Sequence, residues 1–192
     1  MKPFESFLAE IQNCTICESS LADGVHPVLQ VHPQARVLIA GQAPGRSVHN
    51  SGIPFDDVSG KRLRDWMGIT REAFYDLKKV AILPMSFCFP GSGRSGDLAP
   101  RKECASAWRS EILKHLSQLE ISLVIGRYAQ AYHLDSGASS VTDVVKDWKR
   151  DWPKIVPLPH PSPRNNRWFR RNPWFEEELI PRLRAKISTV LS

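Results

Sequence analysis

Residues 36–45 read RVLIAGQAPG, an apolar run that ends at a turn rich in glycine and proline. A run of this kind, stopped by such a turn, predicts a buried strand that delivers a loop to the edge of a sheet. Gly41 and Gly45 flank the turn, and without a Cβ they let backbone N–H groups approach a ligand closely. We therefore expect a strand at 36–40 followed by a ligand-contacting loop at 41–58.

Three more apolar runs predict strands at 79–83, 121–125 and 154–158, and helical periodicity fills the segments between and around them. The predicted helices cover residues 4–13, 60–68, 71–77, 100–118, 127–133, 141–148 and about 174–190. Thr70 is the expected N-cap of the helix at 71–77, and Pro100 is expected in the first turn of the helix at 100–118. A Ser/Gly-rich turn is expected at 136–140.

Strands that alternate with helices are typical of parallel βαβ units. We expect one domain over residues 1–192, with a three-layer α/β/α fold around a central, mainly parallel four-stranded sheet. Pro157 indicates that the fourth strand lies at an edge of the sheet or ends there. Because ligands bind at the carboxyl edge of a parallel sheet, the loops 41–57, 84–98 and 160–169 are expected around one site.

The overall composition is that of an ordinary globular protein. The chain has 192 residues, of which 42% are hydrophobic and 24% charged. No apolar run approaches the length of a membrane span, and the first residues lack the pattern of a signal peptide. We expect a cytoplasmic monomer that does not enter a membrane.

The positive charge is concentrated near the carboxyl-terminal end of the chain. The formal net charge is +6. Four arginines flank two aromatic residues over a short stretch: Arg164, Arg167, Trp168, Phe169, Arg170 and Arg171. Basic residues interleaved with aromatic ones suit a phosphate backbone with stacked bases. A solvated charged surface is the equally plausible alternative.

The four cysteines follow a spacing that suggests a metal or cluster site. Cys14 and Cys17 form a C-x-x-C pair, and Cys88 is separated from Cys104 by fifteen residues. In a protein without a secretion signal, such cysteines are more often metal ligands or free thiols than disulfides. Zinc and a [4Fe–4S] cluster both accept four thiolates, and scattered buried cysteines remain the alternative.

Four motifs together resemble the uracil-DNA glycosylase superfamily. Residues 37–45, with Ser51-Gly52-Ile53-Pro54-Phe55 behind them, are similar to the first motif of the family 4, iron–sulfur glycosylases. Residues 160–165 (HPSPRN) match the second motif in the version of the single-strand-selective monofunctional uracil glycosylases. The cysteine spacing resembles the cluster ligands of families 4 and 5, and residues 123–129 resemble the third-strand region of family 4.

The resemblance implies a pocket for a base flipped out of DNA. Phe55 would stack on the base, and the backbone at Gly41, Gln42 and Ala43 would contact its edge and hold the attacking water. His160 would donate a hydrogen bond to a base oxygen as negative charge develops on the departing base.

For DNA and for the cofactor, the resemblance implies two further groups of residues. Ser162 would belong to a stiff loop against the phosphate backbone, Arg164 would fill the vacated stack, and Asn165 and Arg167 would lie near phosphates. A [4Fe–4S] cluster would be held by the four cysteines Cys14, Cys17, Cys88 and Cys104, with zinc as the alternative.

Two positions depart from the family pattern. Family 4 enzymes commonly have Glu where this chain has Gln42, and family 1 enzymes have Asp where it has Ala43. Asp56 and Asp57 are the nearest replacement carboxylates, of which we expect Asp56 to be catalytic; helix capping or solvation is the alternative role for both. His49 is another candidate base.

The second departure concerns the residue that reads the base. Counting back from Cys88 puts Pro84 where family 4 has an Asn, and Ser86 is a possible substitute. We expect a monofunctional DNA glycosylase of base excision repair that removes uracil or another deaminated or damaged base. The alternative is a catalytically silent, iron–sulfur nucleic-acid-binding member of the superfamily.

Overall fold

The computed structural model describes residues 3–94, 96–134 and 139–192. Most of the Ser/Gly-rich turn expected at 136–140 therefore lies outside the described residues. Within the described ranges, no helix combines the length and the apolar character that crossing a bilayer requires.

A four-stranded parallel sheet forms the centre of the fold. In chain order the strands are β1 (Val37–Ala40), β2 (Val80–Ile82), β3 (Ser92–Gly93), β4 (Gly96–Asp97), β5 (Ile121–Ile125) and β6 (Ile155–Leu158). The central sheet has the order β2-β1-β5-β6, and every pairing in it is parallel. This confirms the predicted central sheet, and each strand lies within its predicted range. Strands β3 and β4 pair separately as an antiparallel hairpin.

The edge position predicted from Pro157 is confirmed. β6 pairs only with β5 in the sheet, with Pro157 opposite Val124. Proline has no N–H to donate to a neighbouring strand. On an edge strand this costs nothing on the outer side, where no further strand pairs.

Helices cover both faces of the sheet. They are α1 (Phe4–Gln12), α2 (Arg46–Ser51), α3 (Val58–Met67), α4 (Arg71–Tyr75), α5 (Lys102–Cys104), α6 (Ser110–His115), α7 (Gly126–His133), α8 (Val141–Lys146), α9 (Asn166–Arg171) and α10 (Ile180–Leu191). π-helical turns at Ala105–Arg109 and Phe175–Leu179 lead into α6 and α10. Thr70 caps α4 as predicted, because its side chain accepts the Ala73 N–H.

Three local differences from the predicted elements follow from the weak periodicity of the segments concerned. The helix expected at 100–118 begins at Lys102, so that Pro100 precedes it rather than joining its first turn. α2 buries only Val48, and α9 buries no residue fully, so neither carries a strong apolar pattern. Both fall in stretches that were expected to be loops.

Alternation along β1 divides the core into two layers. Val37 and Ile39 pack with side chains of α3 and α10, including Leu63 and Leu183, on one face. Leu38 packs on the other face with side chains of α1 and α6, such as Ile11 and Ile112. Side chains of a strand point alternately to opposite faces, so this division confirms the three-layer α/β/α arrangement.

Candidate functional site

The loops that follow β1, β2 and β6 meet at one cavity of about 580 Å³. The start of α3 and the β3–β4 hairpin complete its wall. The predicted site residues that line it are Gly41, Gln42, Ala43, Phe55, His160, Ser162, Arg164 and Asn165. The expectation that three loops gather around one site is thus met by the geometry.

Backbone hydrogen bonds hold the turn after β1 against the segment after β2. The Met85 N–H donates to the Gly41 carbonyl at 2.9 Å, and the Ser86 N–H donates to the Gln42 carbonyl at 3.2 Å. The Gln42 side chain donates through Nε2 to the carbonyl of Leu98 at 2.9 Å. This bond fixes the amide and leaves its Oε1 available as an acceptor.

Phe55 forms an aromatic wall in a strained backbone conformation. Its φ is 56°, in the left-handed region that bulky residues rarely adopt. A Cβ on Gly41 would lie 3.6 Å from the tip of the Phe55 ring, so the ring covers the Gly41 backbone. The ring also meets Phe74 edge to face, with centroids 6.3 Å apart. Packing therefore holds the ring at the cavity.

His160 is fixed by the turn that follows β6. The backbone N–H of Ser162 donates to its Nδ1 at 3.2 Å, and the Asn165 side chain donates to its carbonyl at 2.8 Å. Arg62 supports the same turn by donating to the carbonyl of Pro161 at 3.2 Å. Because Nδ1 accepts a hydrogen bond, a neutral His160 ring carries its proton on Nε2.

The environment of His160 favours the neutral ring. Burial lowers the pKa of His160, and the positive charge of Arg164 acts in the same direction. The carboxylates of Asp57 and Asp97 oppose this effect without reversing it. At neutral pH the pocket therefore presents a neutral imidazole with an N–H donor.

The two adjacent carboxylates, Asp56 and Asp57, have different surroundings. Asp56 pairs with Arg71 at 2.8 Å and is not among the residues that line the cavity. Asp57 lines the cavity and caps α3, accepting the Gly60 N–H through Oδ1 at 2.8 Å. The carboxylate at the pocket is thus Asp57. Asp56 is instead held by its ion pair with Arg71 on α4.

Three other predicted candidates also lie away from the cavity lining. Ser86 is buried, and its hydroxyl donates to the Cys88 carbonyl at 3.4 Å. His49 packs against the rings of His26 and Phe89. Arg167 is exposed on α9, beyond the pocket itself. The residue at the position expected to read the base, Pro84, does line the cavity.

Asp97 is a pocket residue that the sequence reasoning missed. It lies in β4, and its Oδ2 is 3.4 Å from where a Cβ of Gly45 would be. The hairpin has only two residues in each strand, in a segment rich in glycine and without apolar alternation. The closely spaced Gly93 and Gly96 were the available signal for a tight turn at this place.

The four cysteines are free thiols with N–H groups directed at some of the sulfur atoms. Cys88 and Cys104 are buried, whereas Cys14 and Cys17 are partly exposed. The Trp108 indole donates to Cys14 Sγ at 3.2 Å, and the Phe87 N–H donates to Cys104 Sγ at 3.4 Å. This donor chemistry suits a four-thiolate site.

Burial raises the pKa of the Cys104 thiol to about 12, and electrostatic repulsion from the other three cysteines adds to the shift. Burial, and to a smaller extent repulsion from Cys17 and Cys14, raises the pKa of Cys88 to about 11. The four sulfur atoms therefore influence one another. Nevertheless, no group of three or more His, Cys, Asp or Glu residues in the described part of the chain is arranged to hold a metal ion.

The arginines next to the pocket form an exposed basic surface. It comprises Arg164, Arg167, Arg170 and Arg171. The aromatic residues between them turn inward: Trp168 and Phe169 pack against the main core, and the Trp168 indole donates to Thr142 Oγ1 at 2.8 Å. Arg167, Arg170 and Arg171 are thereby left exposed on α9, and Arg164, just before this helix, lines the cavity.

A comparison with protein families gives a match over more than half of the chain. The model of the uracil-DNA glycosylase superfamily matches residues 29–184, which leaves Cys14 and Cys17 outside the matched range. The match includes the whole central sheet and the turns that carry Gln42, Phe55 and His160. The chain belongs to the uracil-DNA glycosylase superfamily, whose members act on DNA in repair.

Proposed function

We propose that this protein is a monofunctional DNA glycosylase that hydrolyses the N-glycosidic bond of uracil or of another deaminated or damaged base. The observation that carries the proposal is a half-buried His160 that burial keeps neutral and whose Nδ1 is already occupied, in a pocket walled by Phe55. A base that enters the pocket must be flipped out of the DNA, at a cost of a few kcal/mol in stacking and pairing.

In the proposed reaction, the bond between the sugar C1′ and the base nitrogen breaks, and its electron pair leaves with the base. His160 Nε2–H donates a hydrogen bond to a base oxygen that becomes negative, as donors do in an oxyanion hole. Phe55 and the backbone at Gly41 hold the base plane, which supports excision of a planar heterocycle. The departing base takes up a proton after release.

A water molecule supplies the oxygen that bonds to C1′. Asp57 is our candidate for orienting this water and accepting its proton, because only one of its oxygens is used in capping α3. Gln42 Oε1 is a second acceptor for the same water, since Nε2 is bound to Leu98. No lysine is among the described residues that line the cavity, so no amine there can form a Schiff base. This supports hydrolysis without strand cleavage.

The proposed DNA path runs from the pocket mouth over α9. Arg164 lies at the mouth, where its side chain can fill the space that the flipped base leaves. We assign Arg167 and Asn165 to phosphates next to the lesion. Ser162, whose hydroxyl accepts the Arg164 N–H at 3.3 Å, keeps this loop compact.

The test is excision from single- and double-stranded oligonucleotides that carry uracil, hypoxanthine or xanthine, with abasic sites as the product. His160→Ala should lower the excision rate by at least 100-fold, in line with the loss of one preorganised donor. His32→Ala is a matched control, because its Nδ1 also accepts the N–H two residues ahead but it does not line the cavity. Wild-type turnover in His160→Ala would remove this residue from the mechanism.

A second candidate function is lesion binding without catalysis. Ala43 and Pro84 give the cavity no polar side chain at two places where relatives are expected to have one. For this candidate, the oligonucleotides would bind but yield no abasic product on any lesion.

We also propose that Cys14, Cys17, Cys88 and Cys104 hold a [4Fe–4S] cluster, with zinc as the alternative. The N–H donors at two of the sulfur atoms support a bound thiolate group. The cluster would supply a structural crosslink between α1, the segment after β2 and α5. Anaerobically purified protein should be brown and contain about four irons per chain, and Cys104→Ser should lose them. A colourless protein with one zinc would overturn the iron assignment.

A further inference from the structure

We propose that Asp97 reads the flipped base by accepting a hydrogen bond from a base N–H, and thereby selects bases that present such a donor. This inference rests on the proposed function, because it assumes that the cavity receives a base. It names a specificity residue on an element, the β3–β4 hairpin, that the family motifs do not include.

Three contacts hold the hairpin over the cavity. Gln42 donates to the carbonyl of Leu98 directly after β4, at 2.9 Å. The Asp97 carboxylate lies against Gly45, where a side chain would come within 3.4 Å of Oδ2. Gly96 lies so close to Arg164 that a Cβ there would be 2.9 Å from Nη1. The hairpin is therefore bound to the turn after β1 through the Gln42 side chain and lies close to the turn after β6 at Arg164.

The Asp97 carboxylate is available to a ligand. In the described part of the chain, no hydrogen bond or ion pair engages it, and the residue is exposed. By contrast, one oxygen of Asp57 accepts the Gly60 N–H. An ionised aspartate only accepts hydrogen bonds, so its natural partner is an N–H group.

The rest of the cavity gives Asp97 a role that other residues leave open. His160 supplies a donor for a base oxygen, and Pro84 supplies neither a donor nor an acceptor side chain. Without Asp97, the carboxylate left among the described lining residues would be Asp57, which we assign to the water. One oxygen of Asp57 is used in capping α3, whereas both oxygens of Asp97 are available, so we assign Asp57 to the water and Asp97 to the base.

The test compares each base with a derivative in which a methyl group replaces the hydrogen of its N–H. A uracil nucleotide has a single base N–H, at N3, and a hypoxanthine nucleotide has one, at N1. Single-stranded oligonucleotides with 2′-fluoroarabino versions of uracil, 3-methyluracil, hypoxanthine and 1-methylhypoxanthine resist cleavage, and their dissociation constants follow from fluorescence anisotropy. We expect the wild type to bind each parent base about 10- to 100-fold more tightly than its methyl derivative, as for a hydrogen bond to a charged group.

Asp97→Leu keeps the branched shape but removes the acceptor, so it should lose affinity for the parent bases and bring both ratios close to one. Asp97→Asn keeps one acceptor oxygen, and its ratios should be intermediate. Asp147→Leu, the same change at an exposed carboxylate that does not line the cavity, should retain the wild-type ratios. Unchanged ratios in Asp97→Leu would overturn the inference.

Excision of the ordinary lesions separates this inference from the proposed function. If Asp97→Leu slows excision equally on all lesions and keeps the binding ratios, Asp97 serves the water and the inference fails. If the wild type excises nothing but its binding ratios depend on Asp97, the inference holds and the proposed catalysis fails.

Discussion

At the scale of the residue, Gly60 determines where the Phe55 ring lies. A Cβ on Gly60 would collide with the backbone carbonyl of Phe55, which itself has the unusual φ of 56°. Gly60→Ala should therefore destabilise the protein by about 1–3 kcal/mol, as overpacking does, although alanine is the better helix former. Urea unfolding measures the loss, and excision should fall because Phe55 is displaced.

The control for this change is Gly24→Ala. Gly24 has a φ of 82° with no atom within 4 Å of the added Cβ, so this variant measures backbone strain alone. We expect it to cost about 1 kcal/mol and to leave excision unchanged. Equal losses of excision in the two variants would contradict the role of Gly60 in placing the ring.

The residues that line the pocket could be predicted where they belong to a motif. They could not be predicted where an interaction with a residue distant in sequence determines the position of the side chain. Gln42, Phe55 and His160 stand in turns after apolar runs, and the structure brings them together. Asp56 and Asp57 are neighbours with the same side chain, and they are distinguished by the ion pair of Asp56 with Arg71 and by the cap that Asp57 forms on α3. That ion pair depends on how α4 packs, which local sequence does not reveal.

At the scale of the element, α9 presents arginines beside the pocket because its aromatic residues pack inward. If the proposed DNA path is correct, Arg167→Ala should reduce the slope of log affinity against log salt by about 0.9 for duplex DNA. Anisotropy titrations over a series of salt concentrations give this slope. Arg182→Ala is the control, because this exposed arginine on α10 lies over Trp148, 5.9 Å from the ring centroid, and does not line the cavity.

An unchanged slope in Arg167→Ala, or an equal reduction in Arg182→Ala, would argue against a phosphate contact on α9. In the first case the exposed arginines would be the solvated surface that the sequence left as the alternative. In the second, the effect would belong to the net charge of the protein rather than to a site.

Elements with their own periodicity were predictable, and elements held by other parts of the chain were not. Each strand of the central sheet lies inside an apolar run, so its place could be read directly. The β3–β4 hairpin depends instead on two hydrogen bonds made by Leu98. The Gln42 side chain donates to its carbonyl, and its N–H donates to the Gly91 carbonyl at 2.9 Å. Such contacts have no local sequence signature.

At the scale of the whole molecule, Arg109 connects the sheet to the helical layer. It is fully buried and donates to the carbonyls of Leu83 and Pro84 at 3.0 and 2.9 Å, where β2 leads into the pocket segment. Its Nη2 lies 2.7 Å from Nε2 of His133 on α7. The sequence indicates helices on both sides, but nothing local marks this arginine as buried, because its partners come from separate segments.

This connection makes the stability of the molecule depend on pH. Burial, and then the charge of Arg109, lower the pKa of His133 from 6.5 to about 4. Between these values the unfolded chain binds a proton that the folded protein does not, so the free energy of unfolding falls as the pH falls. From pH 7.5 to 4.5 the loss should be about 2–3 kcal/mol from this residue, and the lowered pKa of His160 acts in the same direction.

His133→Gln tests this dependence, because glutamine can accept the Arg109 hydrogen bond through its amide oxygen but cannot take up a proton. Urea unfolding of this variant at pH 7.5 and 4.5 should show a difference about 2–3 kcal/mol smaller than in the wild type. His32→Gln, at a residue outside this contact, should keep the full wild-type difference. If His133→Gln keeps it too, the acid sensitivity lies elsewhere. If His133→Gln loses this pH-dependent difference, a neutral His133 is what allows the Arg109 guanidinium to remain buried between the sheet and α7.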